Sequence, residues 1–176
     1  IFNFKYTQGY YDLLILRESI RILCGFCFNI NENLFYEYEN KIINLLIYLI
    51  ESKIDIVILR DVGGAIYLII NALKKDSIIL SNKFIHKLFK CKIISNLLVT
   101  IINEDNWYVD SSLVLLPLMC ITLILQYECI KDKWFMEIIK KIPFNKLKHI
   151  LKHDNINVSS CKCHLSQIIC TCEKLC

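Results

Sequence analysis

Glycine and proline are scarce in this sequence, with 4 glycines and 2 prolines in 176 residues. No Asn-Gly or Asp-Gly pair occurs, and these pairs are the strongest short signal for a β-hairpin. The scarcity of turn residues weighs against an antiparallel sheet. Hydrophobic residues make up 55% of the chain, so a single domain spanning residues 1–176 can bury a sizeable core.

Catalytic motifs are also absent from the sequence. It contains no nucleophile elbow, no phosphate-binding loop and no HExxH stretch, and each of these would place reactive groups at a defined spacing. We therefore expect a protein that is not an enzyme.

Signals for membranes and export are weak. The longest uncharged run, residues 111–127, falls just short of the roughly 18–20 residues of a membrane span and contains Pro117. We expect a buried helix there and no membrane span. The chain starts at Ile1 without a basic segment or a cleavage site, which we interpret as an excerpt from a longer repeat array.

Three segments of the chain repeat one pattern. They begin at Asn44, Asn96 and Asn145, and each has Leu two positions later and aliphatic residues at the sixth and seventh positions. Each also follows a Lys-Ile pair. A short amphipathic piece with aromatic residues precedes each segment: NENLFYEYEN, NKFIHKLFKC and KDKWFMEIIK.

Longer apolar stretches of helical spacing follow the three segments, and a fourth such stretch comes before them. The unit is therefore a short, a medium and a long helix with a period of about 50 residues, which indicates a solenoid. The expected boundaries are a leading helix at about 9–28 and repeats at about 31–77, 81–129 and 131–175.

The passage NENLFYEYENKIINLLIYLIES resembles the first two helices of an armadillo repeat, and DIVILRDVGGAIYLIINALKK is similar to the third. The resemblance implies an all-α, right-handed superhelix of about three three-helix repeats plus one leading helix. The family usually places Gly between its first two helices, where Asn40, Cys91 and Lys140 stand here. This departure and the long period leave a HEAT-like array of helix pairs as an alternative.

The resemblance also implies a function, that of a scaffold or adaptor in the cytoplasm or nucleus. Its third helices would line a concave groove that binds a protein or extended peptide. Importin-like members clamp the peptide with Trp and an Asn four residues later; Tyr67 and Asn71 come closest here, with Thr122 aligned to that Asn. We expect these three residues to contact the partner. The neighbouring Gly63-Gly64 pair predicts a kink in the same helix.

The stretch Cys24-Gly25-Phe26-Cys27 has the spacing of a thioredoxin-type redox pair. A redox pair needs a helix N-terminus after a strand, because the helix dipole there lowers the thiol pKa. Here the two cysteines follow about four turns of predicted helix, so we interpret them as packing residues.

The last 16 residues hold five cysteines and a histidine. Thiolate and imidazole groups are zinc ligands, and the alternative hypothesis is a zinc-stabilised helical module held by Cys161, Cys163, His164, Cys170 and Cys172. Their spacing differs from the paired CxxC of zinc ribbons. A final helix with Cys163, Ile168, Ile169 and Cys172 facing the core is the interpretation we favour, with no cofactor.

Residues 131–153 carry seven lysines and two acidic residues. They could form a basic patch for an acidic partner, although no aromatic nucleic-acid motif accompanies them and a solvated helix face is the favoured interpretation. The patch would consist of Lys140, Lys141, Lys146, Lys148 and Lys152.

Overall fold

The computed structural model describes residues 10–28, 30–51, 56–102, 112–126, 144–152 and 159–175. Within these ranges the chain folds into helices and turns, without strands, which confirms the predicted all-α class. The helices are α1 (Tyr10–Phe28), α2 (Glu32–Glu51), α3 (Ile56–Asp76), α4 (Ile78–Lys90), α5 (Ile93–Ile102), α6 (Ser112–Ile124), α7 (Phe144–Lys152) and α8 (Ser159–Leu175).

Polar side chains fix where several helices begin. Asn31 Oδ1 accepts a hydrogen bond from Leu34 N at 2.9 Å at the start of α2. Ser77 Oγ accepts one from Leu80 N at 3.3 Å at the start of α4. Both satisfy backbone N–H groups that have no partner inside a helix. Ser77 alone separates α3 from α4, so the chain reverses there within a very short connection.

The predicted leading helix and the last helices of the three predicted units, called the long helices below, pack in a row: α1 against α3, α3 against α6, and α6 against α8. The most extensive of these contacts joins α3 to α6, and α3 also touches α2, α4 and α5. The core therefore runs along the row of long helices, with α3 at its centre. The buried side chains Ile20, Ile66, Leu118 and Leu165 represent α1, α3, α6 and α8 in it.

Contacts between α2 and α4 join the first two predicted units. The Phe35 and Phe84 rings meet edge to face with centroids 5.2 Å apart, and both side chains are fully buried. Such aromatic pairs contribute about 0.5–1.5 kcal/mol beyond the area they bury. On the surface, Lys87 Nζ lies 3.0 Å from a Glu39 carboxylate oxygen and donates to Asn40 Oδ1 at 3.1 Å.

The expected break at Asn40 is wrong, because α2 continues through this residue. The buried side chains Phe35, Ile42, Leu46 and Leu49 keep one helical spacing across the position. A break would move the second half of this apolar face away from the core. The corresponding break in the second unit does occur, and the one expected at Lys140 lies outside the described residues.

The second-unit break consists of the turn Cys91-Lys92 between α4 and α5. Lys92 has a φ of 59°, in the left-handed region that costs a residue with a side chain about 1–2 kcal/mol. Cys91 N donates to Lys87 O at 3.0 Å and Lys92 N to Phe89 O at 3.0 Å, which closes the end of α4. The strained residue is thus Lys92, one position after the expected site.

The Gly63-Gly64 pair, where the sequence predicted a kink, marks a close helix crossing. Helix α3 continues through both residues. A Cβ atom on Gly63 would lie 2.8 Å from Pro117 N and 2.9 Å from Pro117 Cα, closer than packed atoms approach. Pro117 lies inside α6, which continues through it. The absence of a side chain at Gly63 therefore lets the two backbones come together.

Among the described helices, α3 has the length and apolar character to cross a membrane, with a mean hydropathy of 1.8 over its most apolar window. Half of that window is buried inside the protein, and core helices of soluble proteins can have the same length and apolar composition. Helix α6, where we expected a buried helix, is apolar but shorter, and most of its side chains are buried.

Candidate partner-binding groove between α3 and α6

One face of α3 carries three polar side chains that the packing of neighbouring helices leaves partly open: Arg60, Tyr67 and Asn71. They are spaced seven and four residues apart, and this spacing places them on one side of a helix. Gly64 lies on the same line between Arg60 and Tyr67. Tyr67 and Asn71, the two contact residues that the sequence predicted on α3, therefore share an accessible face.

The Asn71 side chain is held by its own helix. Its Nδ2 donates to Tyr67 O at 3.1 Å, four residues earlier. Among the described residues, its Oδ1 has no hydrogen-bond partner, and the Tyr67 hydroxyl has none either. Because the amide nitrogen is bonded to the backbone, the amide oxygen is oriented to accept a hydrogen bond from outside the helix.

Arg60 adds a cation to this face, and sequence reasoning missed it. Its Nε donates to Asp61 Oδ1 at 2.7 Å, and the two side chains are 31% and 13% exposed. A guanidinium has five N–H donors in a fixed fork, so one bond to Asp61 leaves donors for a second acceptor. The seven-residue spacing from Tyr67 was the signal that could have revealed it.

Helix α6 supplies an apolar wall beside these polar groups. The Leu116 side chain lies over Gly64, because a Cβ placed on that glycine would be 3.0 Å from Leu116 Cδ1. Leu115 and Met119, on the same side of α6 by their spacing, are also only partly buried. The surface formed by Arg60, Tyr67, Asn71 and Leu116, called here the groove between α3 and α6, thus combines hydrogen-bonding groups with apolar contact area.

Thr122, the third predicted contact, is 3% exposed, and its Oγ1 has no hydrogen-bond partner in the described part of the chain. All side chains of residues 120–125 are buried, so this end of α6 is enclosed on every side. Thr122 is therefore not on the accessible surface of the groove.

The two cysteines of the CGFC stretch lie in α1 and face the core. Burial raises the pKa of Cys27 to about 12. Burial, with a smaller contribution from Asp61, also raises the pKa of Cys24, whose Sγ lies 3.8 Å from Asp61 O. Both thiols stay protonated at neutral pH, which is the opposite of what a redox nucleophile needs. Burial is the main cause of both shifts.

The cysteines of the C-terminal tail point in different directions. Cys161 is fully buried, whereas Cys163 and Cys170 are exposed. The expected inward position of Cys163 is therefore wrong, since Cys161 and Leu165 face the core with Ile168 and Ile169. Residues two apart on a helix lie on different sides, so the helical course of α8 separates Cys161 from Cys163.

A metal site in this tail would also need His164 and Cys172. His164 is half-buried, and burial lowers its pKa, which favours the neutral ring. Its Nδ1 has no hydrogen-bond partner in the described part of the chain. The Cys172 side chain lies outside the described residues. Among the side chains that are described, no three His, Cys, Asp or Glu are grouped to hold a metal ion.

The basic patch is only partly described, because Lys140 and Lys141 lie outside the described residues. Lys146, Lys148 and Lys152 are exposed on α7. Lys148 Nζ forms an ion pair with Glu173 of α8, which partly neutralises the charge at this position. The described lysines thus lie on a solvated helix face.

No family model, no curated protein and no solved structure matches this chain. The groove between α3 and α6 is the surface where predicted contact residues lie together and remain accessible. A functional proposal for this protein therefore rests on the chemistry of that groove.

Proposed function

We propose that this protein is a non-enzymatic adaptor, an armadillo-like α-solenoid that binds an extended segment of a partner protein in the groove between α3 and α6. The observation that carries the proposal is the accessible row of Arg60, Tyr67 and Asn71 beside the apolar Leu116. Both sides of this groove come from long helices, the elements that line the concave face in the armadillo family.

The packing order supports the solenoid part of the proposal. The predicted leading helix and the last helices of successive units contact one another in turn, α1 with α3, α3 with α6 and α6 with α8, and α2 contacts α5. Neighbouring units that bury their apolar faces against each other are what a repeat array requires.

The groove chemistry suits an extended peptide. Such a peptide loses water partners from its backbone N–H and C=O groups on binding, and each unpaired group costs about 1–3 kcal/mol. Asn71 Oδ1 can accept a backbone N–H, and the free donors of Arg60 suit an acidic side chain or a carbonyl. Leu116 offers an apolar contact. We therefore expect a partner segment that combines an acidic with an apolar residue.

A displayed library of random peptides tests the proposal directly. Peptides selected on the wild-type chain would be measured against a Tyr67→Ala/Asn71→Ala double variant by fluorescence anisotropy. We expect affinity to fall by about tenfold or more, because a tyrosine anchor and an accessible hydrogen-bond acceptor are both removed. Helicity by circular dichroism should be unchanged, since both side chains are only partly buried.

The matched control is Asn33→Ala/Tyr36→Ala, which removes an exposed Asn and an exposed Tyr from α2. This variant should bind the selected peptides like the wild type. Equal losses in both variants, or peptides that bind equally well without Tyr67 and Asn71, would show that the groove is not the binding surface.

A further inference from the structure

The outward face of α1 exposes large apolar side chains on either side of the Glu18–Arg21 ion pair, and these side chains have no covering among the described residues. Ile22 is 73% exposed and Phe28 72% exposed, and Leu14 on the same side is 39% exposed. Large aliphatic and aromatic side chains with this much exposure on one helix face are typical of a contact surface.

The neighbours of the other long helices show that a helix is the kind of element that would pack on this face of α1. Helix α3 has a long helix on each side, α1 and α6, and α6 likewise lies between α3 and α8. Helix α1 meets α3 through its buried face, and among the described helices no long helix covers the opposite face. A helix packed there would continue the row.

Helix α8 of a second copy, stacked head to tail, does not suit this position. The outward face of α8 carries Cys163, Gln167, Cys170 and Lys174, which are all exposed. Stacking copies head to tail would place this polar face against Ile22 and Phe28 and would bury polar groups without partners. The outward face of α8 therefore does not match the outward face of α1.

The sequence of α1 is complementary to itself when two copies run antiparallel. Leu14, Glu18, Arg21 and Gly25 are spaced four, three and four residues apart, and all are exposed. This spacing forms a straight seam along a helix. It lies opposite the buried row of the same helix: Leu16, Ile20, Leu23 and Cys27.

A two-fold axis between residues 19 and 20 pairs this seam with its copy. It places Glu18 opposite Arg21 of the second copy, so unlike charges meet twice. It also places Leu14 opposite Gly25 of the second copy, where a side chain finds room because nothing lies within 4 Å of a Cβ built on Gly25. Glu18 and Arg21 already pair within one chain at 2.7 Å, so four alternating charges would form a network.

We infer that a second copy of this chain covers the face, with the two α1 helices packed antiparallel about a two-fold axis. Leu14, the Glu18 and Arg21 charges and the gap at Gly25 fit one and the same register. Isologous contacts of this kind are the commonest in homodimers. One helix from each copy makes a small interface, so the dimer should dissociate on dilution.

Sedimentation velocity on the whole chain, across a dilution series, tests this inference. The wild type should shift from monomer to dimer as concentration rises. Ile22→Glu should remain monomeric, because it places a carboxylate in the apolar part of the interface. Ile79→Glu changes an isoleucine of similar exposure on α4 and should dimerise like the wild type.

Charge exchange tests the register. Glu18→Arg should weaken the dimer about tenfold or more, since it places Arg against Arg21 of the second copy, and Glu18→Arg/Arg21→Glu should restore it. A wild type that is monomeric at every concentration overturns the inference, as does a dimer that survives both Ile22→Glu and Glu18→Arg. Because the Ile22 side chain is exposed on the side of α1 opposite its buried face, Ile22→Glu should bind selected peptides normally, which separates this test from that of the proposed function.

Discussion

Gly63 in α3 and Gly25 in α1 both lie inside long helices, but their surroundings are opposite. A Cβ on Gly63 would meet the Pro117 backbone of α6 at 2.8–2.9 Å, whereas a Cβ on Gly25 would have nothing within 4 Å. Gly63 is buried between two helices, and Gly25 is exposed. Glycine at position 63 thus permits close packing of α3 against α6. Glycine at position 25 has open space beside it on α1.

Among the described residues, the long helices are packed on both sides in the middle of the row, whereas α1 has a packed neighbour on one side only. In the middle, α3 is packed on both sides, and the backbone contact with Pro117 fixes its distance from α6. At the start, α1 presents large apolar side chains to solvent. The outward face of α8 is polar, with exposed Gln167 and Lys174, so it differs in chemistry from the outward face of α1.

Gly63→Ala should have the largest effect on stability. The added methyl group meets backbone atoms of Pro117, which cannot rotate away, so α3 and α6 must separate. We expect the free energy of unfolding to fall by about 1–3 kcal/mol, although alanine would stabilise an exposed helix by about 1 kcal/mol. Urea denaturation followed by circular dichroism measures the change.

Gly64→Ala is the matched control for that variant. Its methyl group would meet the end of the flexible Leu116 side chain at 3.0 Å, which can move aside. Its free energy of unfolding should therefore stay close to that of the wild type. If both alanine variants were equally stable, the close approach at Gly63 would not hold α3 and α6 in place.

Gly25→Ala should have the opposite sign and a smaller size. At concentrations where the chain is monomeric, we expect it to stabilise α1 by up to about 1 kcal/mol, because alanine has the higher helix propensity and space is available. In the proposed dimer the same methyl group fills the gap that receives Leu14, so dimerisation should weaken. A variant with lower monomer stability would contradict an open face at Gly25.

Local apolar spacing predicted most of the helices, because each long helix buries one face and the period is visible along the chain. This holds for α1, α3 and α8. The same reasoning places Tyr67 and Asn71 on one face. Helical spacing also predicts Arg60 on this face, because it lies seven residues before Tyr67. The armadillo pattern, in contrast, points only to Tyr67 and Asn71.

Features that depend on a second element could not be predicted in this way. The role of Gly63 depends on Pro117, which lies in another helix and 54 positions later in the sequence. The burial of Thr122 depends on packing around all of α6, and the inward position of Cys161 depends on the side from which α8 meets α6. A repeat pattern predicts the order of the helices. Which side chains become buried, and how closely two helices approach, depends on the tertiary contacts between them.

Lys92→Gly should have the smallest effect on the free energy of unfolding. It tests a position where the backbone suits glycine but the chain has lysine. With a φ of 59°, Lys92 has a conformation that glycine adopts without steric cost. The gain is partly offset, because glycine has more conformational freedom to lose on folding. We therefore expect a stabilisation of about 0.5 kcal/mol, measured by urea denaturation.

Lys90→Gly provides the control for this last variant, since Lys90 is exposed in the final turn of α4 and has an ordinary helical conformation. It should lose up to about 1 kcal/mol, because glycine is a poor helix former. Opposite signs at positions 90 and 92 would show that the turn between α4 and α5 requires a left-handed residue. That is the conformation for which armadillo repeats use glycine at the equivalent turn, so the result would also test the resemblance on which the solenoid proposal partly rests. Equal losses at both positions would instead indicate an ordinary helical turn at Lys92.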